Sequence, residues 1–186
     1  MLWHGAQTYA VPATLRNGVR LPHPDVADMS YPFGKGIYFT DCFSAAAIKA
    51  IGPQQQAMNN SQRCFVFLSE VALGDIFKTR EAFKIKGSAP IYNHSVQSIG
   101  EFMPEMTRVK DMNGEGPKFR PTQETLTTPK PLFLNTGKMV PTEDLPISSG
   151  QAIPSKVNEF IVFDDAQVRL RYLFDCEVVF KTSKAL

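Results

Sequence analysis

Few side chains in this chain have types and spacings that suit chemistry. The three histidines, His4, His23 and His94, match no zinc-binding spacing. Cys42, Cys64 and Cys176 lie far apart without a Cys-x-x-Cys pair, which argues against zinc and dithiol redox motifs. No Gly-x-Ser-x-Gly elbow occurs, so a hydrolase nucleophile has no support. Gly34-Lys35-Gly36 suggests a phosphate loop. A Walker loop, however, needs Gly-x-x-x-x-Gly-Lys-Ser/Thr ahead of a helix, and here an apolar strand-like run, Ile37 to Thr40, follows. Three features remain. His4 stands at the end of a strand-like run, where it is either structural or catalytic. Tyr31, Phe33, Tyr38 and Phe39 form an aromatic group that either packs a core or offers a flat face. Alternation places Tyr38 and Phe39 on opposite faces, one toward the core and one toward a groove. Glu159 opens the apolar run EFIVFD, where a carboxylate is costly unless it is exposed or paired.

The elements that must hold these residues are short. MLWH reads as a strand end. TYAVPATLRNG reads as a helix capped by Thr8, with Pro12 in an early turn and Gly18 after the last one. LPHPDVADMSYP is a Pro/Asp-rich loop. GIYFTD is a strand, and DCFSAAAIKAI a helix with Asp41 as its cap. CFVFLSEVALGD is an apolar strand ended by Gly74-Asp75, and FKTREAFKIKGSAP is ambiguous. From about Asp111 to Lys156 the chain is rich in Pro, Gly and Thr with no sustained period, and short strands fit near Pro131 to Leu134 and Lys138 to Val140. LRYLFDCEVVFK alternates, with Leu170, Tyr172, Phe174, Cys176, Val178 and Phe180 on one face, which predicts a half-buried antiparallel strand. Together these predict an α+β domain rich in strands, with few short helices.

Bulk properties narrow the classes. The 43% hydrophobic content supports a real core, and a net charge of +2 without basic blocks gives nucleic-acid or membrane binding no support. The first residues lack a signal-peptide pattern, and no apolar stretch approaches the ~20 residues of a membrane span. The odd cysteine count fits a reducing, intracellular compartment. Met1 opens directly on a strand-like run, which suggests a domain taken from a longer protein.

Taken in order, LWHG, FGKGIYF, SEVALGD and NEFIVFDDAQVRLRYL, with HSVQSIG and FKTS as further matches, resemble the catalytic domain of the poly(ADP-ribose) polymerases. The likeness is closest to the DNA-damage-responsive branch, spans nearly the whole chain, and is weakest from about Met103 to Pro131. It implies two antiparallel β-sheets around an NAD+ cleft, with residues 1–186 forming one ADP-ribosyltransferase catalytic domain and no helical regulatory domain. It implies transfer of ADP-ribose from NAD+, a consumed substrate, to acidic or serine side chains of protein acceptors or to a growing chain, without a metal. A monomeric domain, a nuclear location and upstream DNA-sensing domains also follow from the likeness. By family role, Glu159 bonds the nicotinamide-ribose hydroxyl, His4 the adenosine ribose, Tyr38 stacks on nicotinamide, and Gly5 pairs its backbone with the carboxamide. Arg20, Tyr31 and Phe39 fall along the cleft, and Pro22 to Ser30 would close over NAD+.

The likeness breaks at one place. Where the family carries lysine, serine and a second stacking tyrosine, this chain has Ala45, Ala46 and Lys49. A lost hydrogen bond and a lost stacking face together weaken NAD+ binding about ten- to seventyfold if nothing compensates. The alternative is therefore a degenerate, inactive module that binds NAD+, ADP-ribose or a protein partner.

Overall fold

The computed structural model describes residues 1–26, 31–52, 61–80, 89–104, 139–141 and 156–179. Within these, the strands are β1 (Leu2–Ala6), β2 (Ile37–Thr40), β3 (Ser61–Val71), β4 (Ile76–Thr79), β5 (Ser95–Ser98), β6 (Phe102–Pro104), β7 (Met139–Pro141), β8 (Glu159–Val162) and β9 (Val168–Val179). The two α-helices are α1 (Val11–Asn17) and α2 (Phe43–Ile51). The predicted strand near Lys138 to Val140 corresponds to β7. The stretch Pro131 to Leu134, Phe180, and part of both the closing loop and the ambiguous segment lie outside the described residues.

Seven strands form one sheet in the order β4-β5-β8-β2-β1-β3-β9, and β6 pairs with β7 in a separate ribbon. Every pairing is antiparallel except β4 with β5. This is the α+β, strand-rich architecture expected. The alternation in β9 survives as a half-buried face bearing Leu170, Phe174, Cys176 and Val178. Tyr172 is exposed, beside the register shift between Leu68 and Ser69, where Arg171 has no partner in the β3–β9 register.

Side-chain alternation divides the core between the two faces of the sheet. Leu2, Val19, Ile37, Phe39, Phe160 and Val162 fill one side. On the other, the alanines of α2 pack on Cys64 and Val66, with Trp3 and Phe43 beside them. A third cluster, Phe33, Val96 and Ile161, backs Tyr38. Small side chains let α2 lie very close to β1. A Cβ on Gly5 would sit 1.9 Å from the Ala46 carbonyl oxygen. Glycine is thus demanded at position 5 by the helix above it.

Both predicted helix caps differ from the structure. Thr8 starts a 3-10 turn, Thr8–Ala10, and α1 begins after Ala10 with Pro12 in its first turn. The residue capping α2 is Cys42, with no side-chain cap bond. Asp41 instead accepts a hydrogen bond from Asn158 Nδ2 at 2.8 Å. Gly18 closes α1 at φ +79°, as its position after the last turn predicted.

Candidate active site

The strand order places β8, β2 and β1 side by side, so Glu159, Tyr38 and His4 come from three neighbouring strands. Thr40 is the register partner of both Trp3 and Glu159, which aligns the three strands at one level. The β1–β2 ladder holds only the pair Trp3 and Thr40, whereas β1 runs along β3 through five pairs. Where β1 and β2 part, a cavity of about 670 Å³ opens, a size suited to a small-molecule ligand. His4, Gly5, Arg20, Tyr31, Tyr38, Phe39, Ala46, Lys49 and Glu159 all line it. The structure thus brings these nine residues, all marked in the sequence, to one cavity.

The glycine-lysine-glycine stretch is a turn built around Tyr38. Its hydroxyl donates to the Gly34 carbonyl at 2.8 Å and accepts from the Phe33 N–H at 3.0 Å. Gly34 takes φ +90°, a conformation that L side chains rarely adopt. A Cβ on Gly36 would meet Ile161 Cγ2 at 2.4 Å. Lys35 reaches away and donates to the Pro24 carbonyl, tying the Pro/Asp-rich loop to this turn. Tyr38 therefore has two jobs: its hydroxyl clamps the turn, and its ring forms a wall beside Tyr31, whose ring centroid lies 5.7 Å away. Burial raises the Tyr38 pKa far above its usual value, so the hydroxyl stays protonated and able to donate.

His4 is held by its ring nitrogen Nδ1, 2.9 Å from the Tyr38 carbonyl. A carbonyl only accepts, so Nδ1 carries the proton and Nε2 keeps its lone pair. Burial lowers the His4 pKa, and the Lys49 charge adds to that effect against the pull of the Tyr38 carbonyl. The neutral imidazole can thus accept a hydroxyl hydrogen bond. Phe39 touches the cavity but is buried in the core, its ring centroid 5.4 Å from that of His4.

Glu159 is buried, with an 11% exposed side chain, and it pairs with the Lys49 ammonium. That ammonium also stands 5.7 Å from the centroid of the Tyr38 ring. The sequence marks Lys49 only as a missing ring. It could not show that Lys49 supplies the counter-charge that a buried carboxylate needs.

Two further residues support the site. Asn158, next to Glu159, accepts from the Gly100 N–H at 3.0 Å and donates to Asp41, pinning the start of β8. Asp165 accepts from Arg20 Nη1 at 3.0 Å and from the Leu21 N–H at 2.7 Å. Arg20 is therefore braced along the cavity wall by a residue far away in sequence. Asparagine beside a candidate carboxylate was the only sequence signal for the first, and nothing local marked the second. Among the described residues no group of three or more His, Cys, Asp or Glu side chains is gathered to hold a metal ion, and no helix is long and apolar enough to cross a membrane.

Comparison with known proteins identifies the family. The family model of the poly(ADP-ribose) polymerase catalytic domain matches residues 1–130. The chain belongs to that family. Poly(ADP-ribose) polymerase 1 of Gallus gallus is 30% identical over 183 residues, covering 98% of this chain and 15% of the relative. The poly(ADP-ribose) polymerase of Drosophila melanogaster is 32% identical over 177 residues, again 15% of its own length. Poly(ADP-ribose) polymerase 2 of Homo sapiens is 28% identical over 180 residues, or 27% of its length. The chain thus spans between 15% and 27% of these relatives.

Proposed function

We propose that residues 1–186 act as one catalytic domain that binds NAD+ in this cavity and transfers ADP-ribose to a protein acceptor, releasing nicotinamide. The observation that carries the reading is the meeting of His4, Tyr38 and Glu159 around one cavity, from three adjacent strands. In the reaction the bond between the ribose and the pyridinium nitrogen breaks. Its electron pair goes to the ring, nicotinamide leaves neutral, and positive charge grows on the ribose. The acceptor's nucleophile then bonds to the same carbon and gives up its proton. Glu159, fixed on a buried strand, holds the nicotinamide-ribose hydroxyl and faces the growing charge, which stabilises the transition state more than the ground state. Tyr38 supports the ring, Nε2 of His4 accepts from the adenosine ribose, the Gly5 backbone reads the carboxamide, and Arg20 and Tyr31 wall the cleft. The acceptor is an acidic or serine side chain. Resemblance to the DNA-damage-responsive branch supports a nuclear setting with DNA-sensing domains elsewhere in a longer protein.

Incubation with labelled NAD+ tests this. Label should move to protein, and Glu159→Gln should cut the rate at least ~10²-fold, as removal of one preorganised electrostatic group does. A smear on a denaturing gel means polymer and a sharp band means single transfer. The pairing of Glu159 with Lys49, together with the missing hydroxyl at Ala46, favours a second reading, a binding module without transfer. Saturable NAD+ or ADP-ribose binding with no label transferred would select it.

A further inference from the structure

Lys49 changes the charge of the cavity. Its ammonium pairs with Glu159 and stands over the Tyr38 face, 5.7 Å from the ring centroid. A wall that would otherwise present a lone carboxylate presents an ion pair. Of the nearby titratable groups, His4 and Tyr38 are held neutral by burial.

We infer that Lys49 is a specificity-determining residue that makes the cavity favour ligands whose ring is uncharged, or which carry no ring, over those with a cationic pyridinium. The inference rests on the dinucleotide reading above. The nicotinamide ring of NAD+ is a cation, whereas the reduced ring of NADH is not, and ADP-ribose has no ring there. An ammonium over the Tyr38 face occupies the π surface that attracts a cation. It also repels a second positive charge brought to the same wall. Glu159 offers the pyridinium little relief while its own charge is already matched. To accept NAD+, the Lys49 side chain must leave Glu159, and its 49% exposure gives it a route to solvent. The same exposure screens the repulsion, so the expected discrimination is modest, about tenfold.

Titration of the purified chain with NAD+, NADH and ADP-ribose tests this, in wild type, Lys49→Met and Lys49→Arg. Lys49→Met keeps the aliphatic stem and removes the charge. The ratio of NAD+ to NADH dissociation constants should fall about tenfold in that variant, and the ratio of NAD+ to ADP-ribose should fall with it. Lys49→Arg keeps the charge and should leave both ratios near wild type. If Lys49→Met melts below wild type, Lys49→Gln serves in its place, since its amide still donates to Glu159 without a charge. Unchanged ratios in the neutral variants, or an equal fall in Lys49→Arg, would overturn the inference while leaving the dinucleotide reading intact. Failure of all three ligands to bind any variant would overturn that reading, and this inference with it.

Discussion

Tyr38→Phe separates the two roles of one residue. The substitution keeps the ring and removes only the hydroxyl, which donates to Gly34 at 2.8 Å and accepts from Phe33 at 3.0 Å. Each hydrogen bond is worth about 1 kcal/mol net, so the turn should lose about 2 kcal/mol. For a chain of this size that lowers the melting temperature by about 4–8 °C. The ring remains, so affinity for a benzamide probe should stay within about threefold of wild type. Tyr38→Ala removes the stacking face as well, and its affinity should fall tenfold or more, because a stacked aromatic pair contributes about 0.5–1.5 kcal/mol beyond its buried area. Differential scanning fluorimetry with and without the probe reads both effects. A Phe variant that melts with wild type would refute the hydroxyl clamp. One that loses the probe as fully as the Ala variant would refute the assignment of binding to the ring.

Two further perturbations test the frame around the site. Gly5→Ala drives a Cβ to 1.9 Å from the Ala46 carbonyl oxygen and 2.9 Å from the Ala50 nitrogen, both backbone atoms. Neither atom can yield without moving α2, so chemical denaturation should show a loss of about 3 kcal/mol or more; a near-neutral result would mean that α2 does not press on β1. Asp41 is raised from 3.8 to about 6 by burial, against the hydrogen bond from Asn158. Between those values the folded state keeps a proton that the unfolded state has lost, so stability falls as pH rises through the window. Above about pH 6 the penalty is complete, on the order of 3 kcal/mol. Asp41→Asn keeps an acceptor for Asn158 and cannot ionise, so it should abolish that slope and gain stability at neutral pH. Parallel stability curves for the two proteins from about pH 4 to pH 7 would sink the claim.

What the sequence revealed was mostly what is local. β9 was legible because one face of a sheet meets the core and the other meets water, which forces a period of two. β8 was legible as an apolar run because all four of its residues are buried. The turn at Gly34 was legible because positive φ favours glycine, although its partner, the Tyr38 hydroxyl, was not. Strand order was beyond reach of pattern alone. β8 inserts between β5 and β2, and nothing in its composition says which edges it will find. The helix caps failed for a related reason: Asp41 had a better partner in Asn158, 117 residues away, than in the helix it precedes. Gly5 was legible as a glycine, but the steric demand for it comes from α2.

Lys49 shows why a resemblance must be read through physics. The resemblance reads position 49 as a lost ring. In the fold, the same residue resolves a problem that the site creates for itself. In the proposed reaction Glu159 acts on a developing cation from a fixed position, and its place on a central strand removes it from water. A buried carboxylate left alone is strongly disfavoured, so a counter-charge is needed. Lys49 supplies it from α2, and it holds its charge over the ring that a ligand would stack on. The ammonium that pairs with Glu159 and the cation that would bind there thus compete for the same carboxylate and the same aromatic face. Stability of the unliganded cavity and affinity for a charged ring are set against each other by one side chain. A neutral residue at 49 should move both quantities in opposite directions at once, and a substitution that changed only one of them would show that the two are not linked.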